Sequence, residues 1–555
     1  MEDVYSKEQI TALVEEFEYN EGLKSNFMQL WQDISDYVMP RKAFFTQTGS
    51  NPQRQVNTNL YDGTAIWANE QLASGLHSYL TPSTERWLRW QPKDLNLGEE
   101  IEVKEWLEHA TDRFFQVISS EKTNFTPQIH EMWLDSGAFG TSPMMVEESF
   151  DYNAPPLYFC TYHLSQCVIQ ESKFGRVDYF GRRFSISPRL AKQYYGDHPK
   201  IMEALNSKSK QDMEFVQIIK PRDEFDPTKR DSRNMPYESV HILMKTKEVV
   251  RTGGYREFPL AIPRFSKITG EVYGRSPAMT CLPDIKMVNA MAKTILKAGQ
   301  KAVDPPMMLP DEGFLLPIKM SPGGMNFYNN SLDENQRIQT LDIKANVPLG
   351  LDLLDSRREH ILRTFYLDWM QMNEGTEMTA TEVMQRTEDR MRMMAPATGR
   401  LTAEGLVPLC ERIFGILYRR GIIRPAPDIL RERGGDIYPE FISPVAKVQK
   451  RTQAMGLARV IEIITPLMQV KPDLADKFDG DGTIDALADM FDLPSAMVNN
   501  AEEVDQLRQA RAEAAKAEND AMQAKTESET MANQAKAMQA MGSPQLQAIQ
   551  GGKPA

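Results

Sequence analysis

The run G-E-V-Y-G-R-S-P-A-M-T-C-L-P-D-I-K-M-V-N-A-M-A-K-T-I-L-K-A-G (Gly270–Gly299) decides how this chain is read. It is followed by D-P-P-M-M-L-P-D-E-G (Asp304–Gly313) and then by L-D-L-L-D-S-R-R-E-H-I-L-R-T-F-Y-L-D-W-M (Leu351–Met370). The pattern predicts two helices that bracket an irregular loop rich in proline and glycine. Ser276 ahead of Pro277 places a capping hydroxyl just before a first-turn proline, which sets the start of the first helix. No catalytic motif lies nearby. Two helices around a protruding loop describe a piece that assembles rather than one that reacts.

Working outward, residues 1–40 read as two helices. Ser6 and Gln9 fit a capping box, in which hydroxyl and amide side chains satisfy exposed backbone groups reciprocally. Ile10, Leu13, Val14 and Phe17 form one amphipathic set; Phe27, Leu30, Trp31, Ile34 and Val38 form the next, stopped by Pro40. Asp62 is placed to cap a helix carrying Ala65, Ile66, Leu72, Ala73, Leu76 and Leu80. Arg86–Trp90 alternates like a strand, and helices are predicted over 101–119 and 124–135. From 141 to 265 the segments 143–149, 157–171, 176–186, 214–220, 237–245 and 258–265 read as strands, with a helix near 188–205. The fold class is therefore α+β, mainly helical.

Toward the C-terminus, Thr379 and Glu382 make a second capping box, with Met378 and Val383 as a hydrophobic staple. Pro396 and Pro408 predict a kink or break in the helix that this box starts. Leu406, Leu409, Cys410, Ile413, Phe414 and Leu417 share a face that Gly421 closes. Helices are expected over 447–470 and 483–492. Residues 501–541 have strong helix propensity but few large apolar side chains, so they form a solvated tail or pack against copies of themselves. Residues 542–555 read as disordered.

Bulk properties exclude several classes. A chain of 555 residues makes about three or four domain-sized units. No segment approaches the ~20 apolar residues of a membrane helix, so no membrane role is expected. The start, Met1-Glu-Asp-Val-Tyr5, lacks a signal-peptide pattern, and the expected location is the cytoplasm of the producing cell. The cysteines Cys160, Cys167, Cys281 and Cys410 are scattered and read as small buried hydrophobes. The 32 methionines, clustered at Met391, Met393 and Met394, suit irregular packing. A net charge of −13 argues against a conventional DNA-binding face but permits DNA to slide past, because each phosphate contact adds affinity and friction.

No phosphate-cradling Gly-x-x-x-x-Gly-Lys-Ser/Thr loop occurs; Gly253-Gly254, Gly323-Gly324 and Gly434-Gly435 read as turns. Asp479-Gly-Asp-Gly-Thr-Ile-Asp485 resembles a calcium loop, yet Lys477 and Ala488 stand where the first ligand and the bidentate glutamate belong, so it reads as a turn. Neither a His-x-x-x-His pair nor a nucleophile elbow is present. No enzyme, metal or cofactor is expected. One stripe stands out: Lys286, Lys293, Lys297 and Lys301 fall within about 80° of arc on the first helix. Met287, Val288, Met291, Ala292, Ile295 and Leu296 take the other side. Such a stripe fits either an ordinary solvated face or a helix lining an aqueous pore.

Several stretches in order resemble the portal proteins, the head-to-tail connectors of short-tailed bacteriophages. They are Trp31–Pro40, Tyr61–Leu76, Leu80–Trp87, Asp135–Thr141, Tyr273–Pro277, Asp304–Pro306 and Thr379–Val383. The resemblance implies a portal fold forming a dodecameric ring with a central channel at one capsid vertex, through which viral DNA is packaged and ejected. It assigns 1–275 to a wing, with 141–265 its β-rich part, 276–303 and 349–372 to stem helices, and 304–348 to a clip. It assigns 373–379 to a tunnel loop, 380–445 to a returning wing segment with a long kinked helix, and 446–541 to crown or barrel helices. It puts Asn373, Glu374, Gly375, Thr376, Glu377 and Met378 in the tunnel loop, with Glu374 and Glu377 presenting acid and the lysine stripe presenting base to passing DNA. The partners it implies are the terminase large subunit, scaffold and major capsid proteins and a tail adaptor, and the location is the head–tail vertex of a virion assembled in the bacterial cytoplasm.

Two other readings compete. A tail or collar adaptor without a DNA-gating role would be shorter and lack the helix–loop–helix order. A metal-dependent nucleic-acid-processing enzyme would need a carboxylate cluster that the sequence alone cannot assemble.

Overall fold

In the computed structural model helix α1 runs unbroken from Lys7 to Val38, where the sequence pattern suggests two helices. The capping box forms: the Ser6 hydroxyl accepts from the Gln9 amide, and the Gln9 side chain accepts from the Ser6 amide. The first half packs Ile10, Leu13, Val14 and Phe17 on a sheet, and the second buries Trp31, Ile34 and Val38. Polar contacts carry the helix across the middle. Gln170 donates to Asn20, and Lys24 donates to the Ser165 and Cys167 carbonyls. An apolar-pattern reading has no means of seeing such contacts.

The structure describes residues 5–42, 45, 59–83, 85–98, 100–149, 154–207, 211–226, 228–229, 231–303, 307–308, 339–340, 347–367, 394–442, 454–464, 466, 480–490 and 501–541. Most of 304–348, the 373–379 loop, the Thr379 capping box and residues 542–555 lie outside them. The chain divides into two units, residues 1–98 with 106–446, and residues 99–105 with 447–555.

In the first unit, α2 (Thr64–Leu80), α4 (Phe125–Phe139) and α7 (Pro277–Val303) pack with α1, and α8 (Val347–Thr364) packs on α7 and α2. Helix α3 spans Ile101–Ile118. Strands β4 (Cys167–Glu171), β5 (Val177–Ile186), β6 (Met213–Pro221), β7 (Tyr237–Leu243) and β8 (Glu248–Tyr255) form an antiparallel sheet in that order. Val168, Tyr179, Val216, Ile218, Val240 and Ile242 face α1. A smaller sheet orders β3 (Leu157–Thr161), β2 (Met144–Glu148) and β9 (Leu260–Ala261), and β1 (Leu88–Pro92) pairs with β12 (Ile437–Phe441).

Several departures from the sequence reading have local causes. The 157–171 run splits at a 3-10 turn over Leu164–Gln166, which sends β3 and β4 into different sheets. The 188–205 helix is two, α5 (Pro188–Tyr195) and α6 (Pro199–Asn206), because Gly196 adopts φ +73° and Pro199 restarts the chain. Strand β8 escapes the sequence pattern because it contains Gly253-Gly254. These are not turn residues: a Cβ on Gly254 would sit 2.9 Å from the Met235 side chain, so the strand needs glycine to lie close to that loop.

Residues 394–401 are helical and pass through a π turn at Thr402–Leu406 into α9 (Val407–Arg419). The expected irregularity is thus a widened turn, with Pro408 accommodated in the first turn of α9. α10 covers Asp428–Glu432. In the second unit, residues 454–464 are helical, and α11 (Gly480–Met490) and α12 (Ala501–Met541) follow. Most of the Asp479–Asp485 run, expected as a turn, therefore opens a helix. Asp481 pairs with Arg508 at 2.7 Å there. Helix α12 is exposed from Asp505 through Met538.

Candidate functional site

Helices α7 and α8 form a hairpin whose far ends meet as β10 (Met307–Met308) paired antiparallel with β11 (Gln339–Thr340). With 27 residues, α7 extends about 40 Å at ~1.5 Å per residue. Ser276 caps it as the sequence predicts, its hydroxyl accepting from the Met279 amide and donating to the Ala138 carbonyl. Helix α8 stops at Thr364, short of the expected Met370. Tyr366 there takes φ +62°, and its amide bonds back to Arg363.

The root of the hairpin is fastened by polar side chains. Buried Asn289 accepts from the Tyr61 and Asp62 amides at 2.6 and 3.3 Å and donates to the Asn59 carbonyl at 2.9 Å. Asp62 receives both Nε and Nη2 of Arg358, at 2.9 and 2.6 Å, and its carboxylate also accepts from the Thr64 amide. Burial pushes the Asp62 carboxyl up, but Thr64 and Arg358 outweigh it and hold the group below its ordinary value. Asp284 on α7 takes Arg357 and His360 of α8, at 3.4 and 3.1 Å. Removing the Asn289 side-chain amide takes the hydrogen-bond partner from the part-buried Tyr61 and Asp62 amides, at up to about 1–3 kcal/mol for each group left unsatisfied. Asn289→Ala is expected to raise hydrogen exchange at residues 59–63 well above the rest of the first unit. Unchanged protection would show that this side chain does not hold the segment.

Below the root the sequence motifs converge. Gly140 ends α4 at φ +75°, and the backbones of Gly140 and Gly274 touch so closely that neither position has room for a Cβ. Thr141 accepts the Gly274 amide at 2.8 Å, and the Tyr273 ring meets Trp31 edge-on at 5.1 Å. Asp135, wholly buried, takes Lys42 at 2.7 Å; burial nonetheless pushes its carboxyl up to about 6, despite the lysine. Residues far apart in sequence thus form one junction beneath α7.

The lysine stripe is divided. Lys286 is paired with Asp33 at 2.7 Å, and the Lys293 ammonium lies 5.1 Å from the Tyr61 ring centroid. Lys297 and Lys301 are exposed. On the same hairpin Leu296, Val303, Leu349 and Leu353 are more than half exposed, Val303 at 88%. Residues 373–378 lie outside the described residues. Among the described residues no group of three or more His, Cys, Asp or Glu side chains is placed to hold a metal ion, and no helix is long and apolar enough to cross a membrane. Sequence reasoning missed Asn289 and the Asp62–Arg358 pair as positioning residues. Asn289, at the border between the lysine stripe and the apolar side of the helix, was the one available signal.

An α+β chain with a helical hairpin rooted on a glycine junction belongs to the bacteriophage head to tail connecting proteins, whose family it matches over residues 11–498. It is 30% identical to the "Probable portal protein" of Bordetella phage BPP-1 over 503 residues, covering 88% of this chain and 89% of that one. It is 28% identical to the "Portal protein" of Salmonella phage epsilon15 over 545 residues, covering 94% and 96%.

Proposed function

We infer that this chain is the portal subunit of a phage head, forming the ring at one vertex through which DNA is packaged and later leaves. The observation that carries the reading is family membership across nearly the whole chain, with relatives of matching length that bear the portal name. Matching length also disfavours a shorter adaptor. The ring is taken as a dodecamer, docking the terminase large subunit and then a tail adaptor, and seated among scaffold and major capsid proteins. Exposed Leu296, Val303, Leu349 and Leu353 support contact between neighbouring copies, since a lone protomer leaves them in water. In this reading α7 and α8 are the stem, 304–348 the clip and 373–379 the tunnel loop. The C-terminal helices, α12 among them, form the crown or barrel, where copies of a helix without its own core can pack together. Heads assembled without this chain should protect no genome-length DNA from nuclease, and normal protection would refute the role.

Lys293, Lys297 and Lys301 are the members of the stripe proposed to face DNA, because Lys286 is already neutralised by Asp33. Reversing Lys293 and Lys297 to glutamate is expected to lower DNA retention several-fold in filled heads. Retention equal to wild type would remove the stem from the account of DNA contact.

A further inference from the structure

One face of the five-stranded sheet is covered by α1, and the other is covered at one end by α5 and α6. Beside that cover lies a polar row in direct register: Arg182 opposite Gln217, Gln217 opposite His241, and His241 opposite Arg251. A register shift after His241 inserts Val250, which joins the α5–α6 core, and sets Arg251 beside His241. The Tyr195 hydroxyl of α5 is 3.0 Å from His241 Nδ1. Burial, with Arg251 and Arg182 nearby, drives His241 down to about 3, so it stays neutral.

Arg182 is unusual in its surroundings. Its guanidinium stacks on Tyr162 and Phe184, 3.9 and 4.5 Å from the ring centroids, and its Nε donates to Gln166 at 3.2 Å. Among the described residues, every other arginine that is buried or half-buried meets a carboxylate. Its neighbour Arg183 binds Glu21 and Glu214 on the opposite face. Among the described residues Arg182 meets no carboxylate, nor does exposed Arg251. Glu147, near enough to Arg251 to be influenced by its charge, is taken by the Tyr255 hydroxyl at 3.1 Å. Tyr158 and Tyr194 are exposed at the rim, and tyrosine with arginine is the composition of protein interface anchors.

We propose that the Arg182–Gln217–His241–Arg251 row is a docking site for an acidic polypeptide segment of a partner protein, its carboxylates completing the donor sets of Arg182 and Arg251. The stacked guanidinium is rigid before binding, so little side-chain freedom is lost when the carboxylate arrives. Nucleic acid fits less well. Two cations with Glu147 behind them neutralise too few phosphates in a chain of net charge −13.

The test is fluorescence anisotropy of the full chain at low salt with a labelled Gly-Glu-Tyr-Glu-Glu-Gly peptide, its glutamine counterpart and a short DNA duplex. The glutamate peptide should bind at least about tenfold more tightly than the glutamine peptide (about 1.4 kcal/mol). Arg251→Gln, an exposed change, and Arg182→Met, which keeps the stacking, should each remove most of that difference. Arg256→Gln, an exposed arginine outside the row, should leave it intact. The proposal is overturned if the glutamate peptide does not bind. It is equally overturned if Arg256→Gln weakens binding as much as Arg251→Gln, or if the duplex competes at the same site more tightly than the peptide. The result does not depend on ring assembly.

Discussion

Arg264→Met is expected to destabilise the first unit by about 3–5 kcal/mol, the cost of breaking a buried charge pair from one side. Arg264 is fully buried and holds three segments at once. It pairs with Glu171 at the end of β4 and with Glu404 in the π turn before α9, the latter at 2.7 Å for Nε and 2.9 Å for Nη2. It also donates to the Val272 and Gly175 carbonyls at 3.1 and 2.9 Å. Methionine fills the volume but leaves two carboxylates and two carbonyls facing an apolar side chain. Thermal unfolding should fall by at least about 5 °C; a shift under 1 °C at the same pH would contradict this account.

Acid should loosen the same network. Burial pushes Glu171 up, but Lys267 and Arg264 outweigh it and hold the carboxyl below its ordinary value. A depressed carboxylate contributes stability above its unfolded-state value and loses it as pH falls through its folded-state value. The Glu171 contribution is thus present at neutral pH and disappears below the ordinary glutamate range. Arg264→Met should flatten that part of the stability profile.

Gly140→Ala is the second change with a large expected effect. At φ +75° an alanine is strained by about 1–2 kcal/mol before any contact is considered. Its Cβ would then lie 2.5 Å from the Gly274 carbonyl oxygen, a backbone atom that cannot step aside. The closest backbone approach in the junction would have to open, shifting Tyr273 and Ser276 and with them the start of α7. The expected cost exceeds about 3 kcal/mol, read as loss of soluble protein or early unfolding. Gly22→Ala, with nothing within 4 Å, is the control and should be neutral or mildly stabilising. If Gly140→Ala unfolds with the wild type, the junction does not hold the hairpin.

The helical hairpin was legible because its signals are local: Ser276 and Pro277 mark a start, and apolar spacing marks a face. The capping box at Ser6 was legible for the same reason. The junction was only half legible. Gly140 and Gly274 are visible as glycines, but that they need each other depends on a contact across more than a hundred residues. Strand β8 was lost because two glycines serving a close backbone approach look like a turn. The four lysines of the stripe lie on α7, yet sequence gives no sign that Asp33 and Tyr61 reach back to Lys286 and Lys293. Polar anchoring of this kind, by Asn289, Arg358 and Arg264, is set by tertiary neighbours and leaves almost no mark on local pattern.

The most direct measurement is electron microscopy of the purified full-length chain with native mass on the same sample. The account predicts closed rings with α7 and α8 around a central channel wide enough for duplex DNA, and a mass of twelve subunits. A closed oligomer without a channel, with α7 and α8 buried away from any central axis, would contradict it.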